Sequence, residues 1–356
     1  MDRSHARASS APSAPESRTA GALWFPRARR VEIRPEVLPP LSPDDVRICG
    51  IASGLSHGTE MLVFRGQAPP DLDLDLPTLR GSFGFPIKYG YAGVGRVDEV
   101  GAAVERLRVG DLVFVHHPHQ TRYVVPATMP IRLPPDLDPE LGLFFANVET
   151  AVNVLLDAHP RLGERVLVFG QGVVGLLVTQ LCRRAGAGLT IAVDPIERRR
   201  ALSREAGADV VLAPEDGLAG RVRDLTGGAG ADLVIEASGN PAALCAALDC
   251  VAPEGTVVVC SWYGTKPVSL PLGGAFHRGR IRLVSSQVGS IAPCLQARWT
   301  RERRAALARD LLPQLHLSSL VTHRFPFERA AEAYALVDEH PEEVVQVILT
   351  YGGDHV

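Results

Sequence analysis

Three glycines, Gly170, Gly172 and Gly175, follow an apolar run in V-L-V-F-G-Q-G-V-V-G, residues 166–175. The run reads as a buried strand, and G-x-G-x-x-G directly after a strand is the spacing of a turn that cradles a pyrophosphate. The first glycine permits the tight strand-to-helix turn, the second lets backbone approach the phosphates, and the third brings the helix against the strand. Glycine-rich turns also occur without a ligand, so the flanks decide. Residues 176–185 are helix-compatible, Gly186 to Gly188 break that helix, and residues 189–193 form a second strand ending at Asp194. An acidic side chain about 20 residues past the glycines reads the ribose hydroxyls of a dinucleotide. Gly170, Gln171, Gly172, Val173, Val174 and Gly175 are therefore expected to bind the cofactor, with Asp194 on its ribose. Of the arginines that follow, Arg198, Arg199 and Arg200, one such as Arg199 can pair with a 2′-phosphate. Asp194 occupies the reading position itself and would repel that phosphate, so NAD is expected ahead of NADP.

The elements that must hold this turn follow from the rest of the pattern. From about Val148, helices and strands alternate: a helix at 198–205, strands at 209–212 and 232–236, a helix at 241–250, then strands at 256–260 and 281–285. This is an α/β arrangement, a doubly wound parallel sheet. Before it, short strands at 30–35, 45–53, 93–97, 111–115 and 123–125 are punctuated by Pro and Gly, as in a small antiparallel β-barrel. A helix at 327–337 and a strand at 343–351 are expected to rejoin that barrel, because the parallel sheet already has its six strands. The expected division is a disordered tail at 1–20, a catalytic domain from 21–150 and 291–356, and a dinucleotide-binding domain at 151–290. The tail is rich in Arg, Ser, Ala and Pro; a transit peptide is the alternative, against which Asp2 and Glu16 stand.

A length of 356 residues suits two domains, and a net charge of −3 with mixed signs gives no reason to expect nucleic acid or a membrane surface. No apolar run approaches the roughly 18 residues of a membrane span. The six cysteines are scattered, as free thiols of a cytoplasmic protein would be. The apolar last strand at 281–285 would leave an open sheet edge, so a homodimer is expected.

Several further segments point the same way: A-S-G-L-S-H-G-T-E at 52–60, F-P-I-K-Y-G-Y-A-G-V-G at 85–95, V-G-D-L-V at 109–113, E-T-A at 149–151 and G-A-D-L-V-I-E-A-S-G-N at 230–240. With the glycine turn, they make the chain resemble the medium-chain dehydrogenase/reductase superfamily, which joins a GroES-like barrel to a Rossmann domain. That resemblance covers nearly everything after the tail. Zinc-dependent relatives carry Cys where Ser56 stands and a His-Glu pair where Tyr91 and Ala92 follow Gly90, and none of these three residues is a normal zinc ligand. The four-cysteine lobe of many relatives is missing as well. The chain is thus similar to a zinc-less branch that contains the bacteriochlorophyll-pathway hydroxyethyl-chlorin dehydrogenase. This implies hydride transfer between a nicotinamide cofactor and a small-molecule secondary alcohol or ketone, without zinc. Ala92 and H-H-P-H-Q at 116–120 depart from that branch and leave the substrate open.

Without a metal, something must still stabilise the alkoxide and move its proton. Tyr91, where a relative's ligand His stands, is the first candidate, because a phenol of pKa about 10 donates to an oxyanion; the alternative is a core aromatic. Ser56, His57, Thr59 and Glu60 share one loop that can relay the proton, although His57 also reads as a surface histidine and Glu60 as a surface ion pair. Glu60 is expected to orient Tyr91 or Lys88. His116, His117 and His119 surround Pro118 and read as loop polarity or substrate contact ahead of the alternative, a site for a different metal, because Pro118 stands in their middle at a strand end; His119 is a further catalytic candidate. By resemblance, Thr150 contacts the nicotinamide, and Glu149 is a charge at a helix start. Ser238 and Gly239 end one parallel strand and Ser285, Ser286 and Gln287 another, at the edge where such sheets bind ligands. Trp299, Arg301, Arg303 and Arg304 read as a solvated helix face, or as contacts to an acidic substrate or cofactor phosphate. An enone or quinone reductase and a catalytically silent cofactor-binding protein are the competing functions.

Overall fold

Alternation of apolar and polar residues builds the first third of the chain into antiparallel strands. The computed structural model describes residues 19–74, 78–79 and 81–352, so the expected tail lies outside the described residues except Thr19 and Ala20. Those two open β1 (Thr19–Phe25), a strand that the sequence reading missed. Its small residues Ala20, Gly21 and Ala22 look like tail, yet Ala22, Leu23 and Phe25 are completely buried. There follow β2 (Glu32–Val37), β3 (Asp45–Leu55), α1 (Thr59–Phe64), β4 (Ile87–Lys88), β5 (Gly93–Val100), β6 (Leu112–Val115), β7 (Arg122–Pro126) and β8 (Ile131–Arg132). A three-stranded sheet runs β2-β1-β4, and β3, β5, β6, β7 and β8 belong to a second sheet.

The second grammar begins with α2 (Pro139–Gly142) and α3 (Phe145–Ala158). The start of α3 lies four residues ahead of Glu149, so Glu149 and Thr150 sit inside the helix rather than before it. Its N-cap is Phe144, which offers no side-chain bond, and a start without Ser, Thr, Asp or Asn leaves no mark in the sequence. Next come β9 (Arg165–Phe169), α4 (Val173–Arg184), β10 (Leu189–Val193), α5 (Glu197–Glu205), β11 (Val210–Leu212), α6 (Leu218–Leu225), β12 (Ala231–Glu236), α7 (Pro241–Cys250), β13 (Val251–Val259), α8 (His277–Gly279) and β14 (Arg282–Ser285). All six strands are parallel in the order β11-β10-β9-β12-β13-β14. Helices cover both faces of the central strands, which explains why β9 is apolar throughout after Arg165. The outermost strand, β14, is different: Arg282, Leu283 and Ser285 are exposed.

After α9 (Arg301–Leu311), the chain returns to the second sheet through β15 (Val321–Pro326), α10 (Ala330–Glu339) and β16 (Gln346–Thr350). β16 pairs antiparallel with the end of β3, Val347 opposite Leu55 and Thr350 opposite Ala52. The resulting seven-stranded sheet runs β15-β16-β3-β5-β6-β8, with β7 also on β3. Among the described residues, no helix is long and apolar enough to cross a membrane.

Two glycines set the junction between β9 and α4. Gly170 has φ +83°, and a Cβ there would lie 2.6 Å from Ser238 N. A Cβ on Gly175 would lie 1.8 Å from the carbonyl oxygen of Gly170, which is backbone and cannot yield. Gly175→Ala is therefore expected to lower stability by about 3 kcal/mol, the upper range of overpacking penalties, and to weaken dinucleotide binding with it. Urea unfolding of the variant checks this; a wild-type midpoint would refute it.

Candidate functional site

The glycine turn presents a helix start to solvent. Gly172 caps α4 without any side-chain bond, and a Cβ built on it would meet nothing within 4 Å. The first amides of α4, at Val173 and Val174, have neither an intrahelical acceptor nor a side-chain cap, and a phosphate is favoured there by both their N–H groups and the helix dipole. Gln171 plays another part. It is fully buried; its amide N–H donates to Asp194 Oδ2 (2.7 Å), and its side-chain oxygen accepts from Thr179 (3.1 Å) and Ser203 (3.0 Å). Asp194 also accepts from Ile196 N (2.8 Å). A carboxylate has about four acceptor positions, so two bonds leave capacity for hydroxyls.

The arginines after Asp194 grip backbone carbonyls. Arg199 donates to Pro341 O (2.8 Å) and Val344 O (3.1 Å), Arg198 to Glu343 O (2.9 Å), and Arg200 to Asp194 O (2.8 Å). Two of them thus clamp the turn before β16 onto α5. Burial holds the Arg199 guanidinium below its ordinary range, and its Nε has no partner.

At the end of β12, buried Glu236 organises the loop that contains Ser238 and Gly239. Its Oε1 accepts from Ser238 N (2.6 Å), Ser238 Oγ (2.5 Å) and Gly239 N (3.0 Å), and its Oε2 from Tyr263 (2.8 Å). The sequence reading missed Glu236, although an acid closing an otherwise apolar strand was a visible signal. After β14, Ser286 gives its hydroxyl to Asp157 (2.6 Å), and the Gln287 side chain accepts from Gly289 N (2.6 Å). The Ser286 and Gln287 side chains, expected at a ligand, are thus engaged within the protein.

On the other side, pairing with β16 fixes the end of β3 and the loop that carries Ser56. Tyr91 donates to Ser56 Oγ at 2.5 Å. Burial pushes the Tyr91 phenol up to about 12, against the lowering effect of bonds to Ser56 and Thr59. These three hydroxyls form one cluster. Glu60 lies behind it, fully buried: Oε2 accepts from Ser56 N (2.9 Å), and Oε1 bonds His119 Nε2 (2.8 Å) and accepts from Tyr334. His119 in turn bonds Ser53 Oγ (2.6 Å), which also accepts from Tyr351 (2.8 Å). Glu60 is therefore not a surface ion pair, and it does not orient Lys88, which pairs with Glu36 (2.7 Å) and Gln120 (3.0 Å). Tyr334 and Tyr351 escaped the sequence reading because nothing local ties them to residues almost 300 positions earlier.

Two other expectations are corrected. His57 is not a surface histidine: its Nε2 is buried without a partner, and burial, with the charges of Arg199 and Arg65, pushes it down to about 3. Arg304 is not on a solvated face but 3% exposed, donating to Glu149 (3.1 Å) and Asn153 (2.6 Å) of α3. The contacts turn one side of α9 inward, while Arg303 lies outside over the Trp299 ring. Thr150 bonds the carbonyl of Ala146 (2.8 Å), one turn back in α3.

Among the described residues, the one group of three or more ligating side chains whose donor atoms lie within 4.8 Å of one another is exposed His340, Glu342 and Glu343. It lies on the turn between α10 and β16 and includes no residue of the hydroxyl cluster.

A Rossmann sheet with an open glycine turn, joined to a barrel-like sheet that carries a hydroxyl cluster, defines a nucleotide-dependent oxidoreductase. Residues 173–305 match the family described as "Zinc-binding dehydrogenase". The chain is 30% identical over 314 residues to the D-guloside 3-dehydrogenase of Escherichia coli (strain K12), covering 83% of this chain and 89% of that one. It is 28% identical over 332 residues to the L-threonine 3-dehydrogenase of Pyrococcus abyssi, covering 84% and 90%. In fold it is similar to an Escherichia coli CFT073 alcohol dehydrogenase solved with NADH (TM-score 0.78, 20% identity, 94% and 100% coverage). It is likewise similar to 2R,3R-butanediol dehydrogenase from Bacillus subtilis (TM-score 0.77, 20% identity, 93% and 99%). The chain belongs to the medium-chain zinc-type alcohol dehydrogenase superfamily and is an NAD(P)-dependent medium-chain dehydrogenase.

The buried imidazoles give the protein a pH signature. Burial pushes His57 and His117 down to about 3 and His116 to about 4, from an ordinary 6.5. Below pH 6.5 the unfolded chain takes up protons that the folded one refuses, so stability falls as pH drops from 6.5 towards 4. The slope is up to about 1.4 kcal/mol per pH unit for each ring. Urea midpoints that stay flat between about pH 7 and about pH 5 would contradict it.

Proposed function

We propose that the protein is a zinc-independent oxidoreductase that transfers a hydride between NAD and a secondary alcohol or ketone, with Tyr91 as the oxyanion donor. The observation that carries this reading is the 2.5 Å bond between Tyr91 and Ser56, two hydroxyls in the positions of metal ligands in zinc-dependent relatives. With its phenol raised to about 12, Tyr91 keeps its proton at neutral pH and acts as a hydrogen-bond donor. Neutral hydroxyls bonded to each other are not a set that zinc selects. The relatives named for dehydrogenation of D-guloside, L-threonine and butanediol support an alcohol or polyol substrate.

A bound nicotinamide supplies the hydride acceptor or donor. The glycine turn from Gly170 to Gly175 holds the pyrophosphate on the amides of α4, and Asp194 holds the ribose, which favours NAD over NADP. In the reduction direction the Tyr91 O–H turns from Ser56 to the carbinol oxygen and gives its proton there, while Ser56 returns a proton to the phenol and is itself refilled through Thr59; alcohol oxidation runs the same transfers in reverse. Glu60 positions that relay by holding Ser56 N, and His119 and Tyr334 keep Glu60 in place. In this reading the catalytic unit comprises 21–150 and 291–356, and the cofactor unit 151–290.

Tyr91→Phe removes the donor and keeps the ring. Turnover of secondary alcohols such as 2,3-butanediol is expected to fall by roughly two to three decades, or about 2.7–4 kcal/mol, with NADH affinity unchanged. Turnover within a few-fold of wild type, together with a stability loss of about 1 kcal/mol, would mark Tyr91 as structural. Elemental analysis of the same protein is expected to find no stoichiometric zinc; one tightly held ion per chain, lost together with activity on chelation, would overturn zinc independence.

We also propose that the chain forms a homodimer through the free edge of β14, where exposed Leu283 and unpaired backbone groups invite a second copy. Light scattering at micromolar concentration is expected to give twice the chain mass of 38.2 kDa, and the monomer mass would refute it.

A further inference from the structure

A cleft of about 420 Å³ opens between β5, the turn before β6, β8 and α9. It is lined by Arg96, Arg132 and Arg309 around a floor of Leu112, Leu133 and Pro134. None of these residues belongs to the glycine turn or the hydroxyl cluster. The three guanidiniums come from three separate elements, and one carboxylate, Asp111, lines the cleft with them. That carboxylate is occupied by capping its own turn, accepting from Arg108 N (2.9 Å).

The arginines are poorly compensated. Among the described residues, Arg132 makes no ion pair or side-chain hydrogen bond. Arg96 spends one nitrogen on Gly110 O (2.9 Å), and Arg309 pairs with its exposed neighbour Asp310 (3.0 Å), a contact of the kind worth little in water. Like charges gathered in one concavity repel each other and concentrate anions there. The planar forks match phosphate oxygens in pairs, and three forks around one concavity can surround a tetrahedral group. The volume of about 420 Å³ suits a small metabolite.

We propose that this cleft binds a small phosphate-bearing molecule, at a site separate from the cofactor turn and independent of the function proposed above. The test is calorimetric titration of the full chain with inorganic pyrophosphate at constant ionic strength, with and without saturating NADH. Binding of one pyrophosphate per chain is expected in both conditions, about tenfold weaker or more in Arg132→Ala/Arg309→Ala, with NADH affinity unchanged. Arg132→Lys, which keeps the charge but not the fork, is expected to fall between the two. Three results would overturn the proposal: no heat of binding, binding undiminished in the double variant, or binding that NADH displaces, which would assign the ion to the glycine turn. Arg132 is exposed and the Arg309 side chain is 40% exposed, and circular dichroism of the double variant separates a lost site from a lost fold.

Discussion

A carboxylate shut away from water must find its compensation inside the protein, and the Glu60 carboxylate draws a large part of the structure around itself. Its partners are Ser56 N, His119 and Tyr334, from the loop after β3, the segment after β6 and α10. Removing one partner from such a buried set typically costs about 3–5 kcal/mol, because the remaining charge stays buried. The return of the chain to the seven-stranded sheet follows from this demand as much as from strand pairing. Val347 and Thr350 of β16 align with the end of β3, and α10 beside them delivers Tyr334 to the carboxylate. The bond between Tyr91 and Ser56 depends on that interior arrangement through the Ser56 amide that Glu60 holds.

The parallel sheet solves a different problem, the holding of charge at strand ends. Asp194 and Glu236 close two of its strands, are buried, and both accept backbone N–H groups of the loops that follow. Each acid thereby shapes its own loop, leaving the amides at the start of α4 open for an anion. The two halves are then joined by polar contacts as well as apolar ones. Arg198 and Arg199 of α5 hold the turn before β16, and Arg304 of α9 holds Glu149 and Asn153 of α3. Arg304 fills a buried position that charge alone would have denied it, because two partners on one helix satisfy its fork.

What could be read from residues alone was whatever depends on neighbours in sequence. The strand, the glycine turn and the helix after it form a local unit whose steric needs are written in Gly170, Gly172 and Gly175, and the alternation of helix and strand after it specified the parallel sheet. The expected strand at 45–53 and helix at 241–250 were legible for the same reason, since burial on one face imposes a period. Signals without local chemistry were missed: the uncapped start of α3, and β1 with its small residues.

The candidate site divided along that line. Ser56, Thr59 and Glu60 were marked by a shared loop, and Tyr91 by its position after Gly90. Tertiary structure alone decided that Glu60 faces His119 rather than Lys88, that Tyr334 and Tyr351 complete the network, and that Arg304 turns inward to Glu149. It likewise decided that the Ser286 hydroxyl belongs to Asp157. The physical reason is common to all of these. A buried polar group is satisfied by whichever partner the packing of distant elements brings within about 3 Å, and no spacing along the chain encodes that distance.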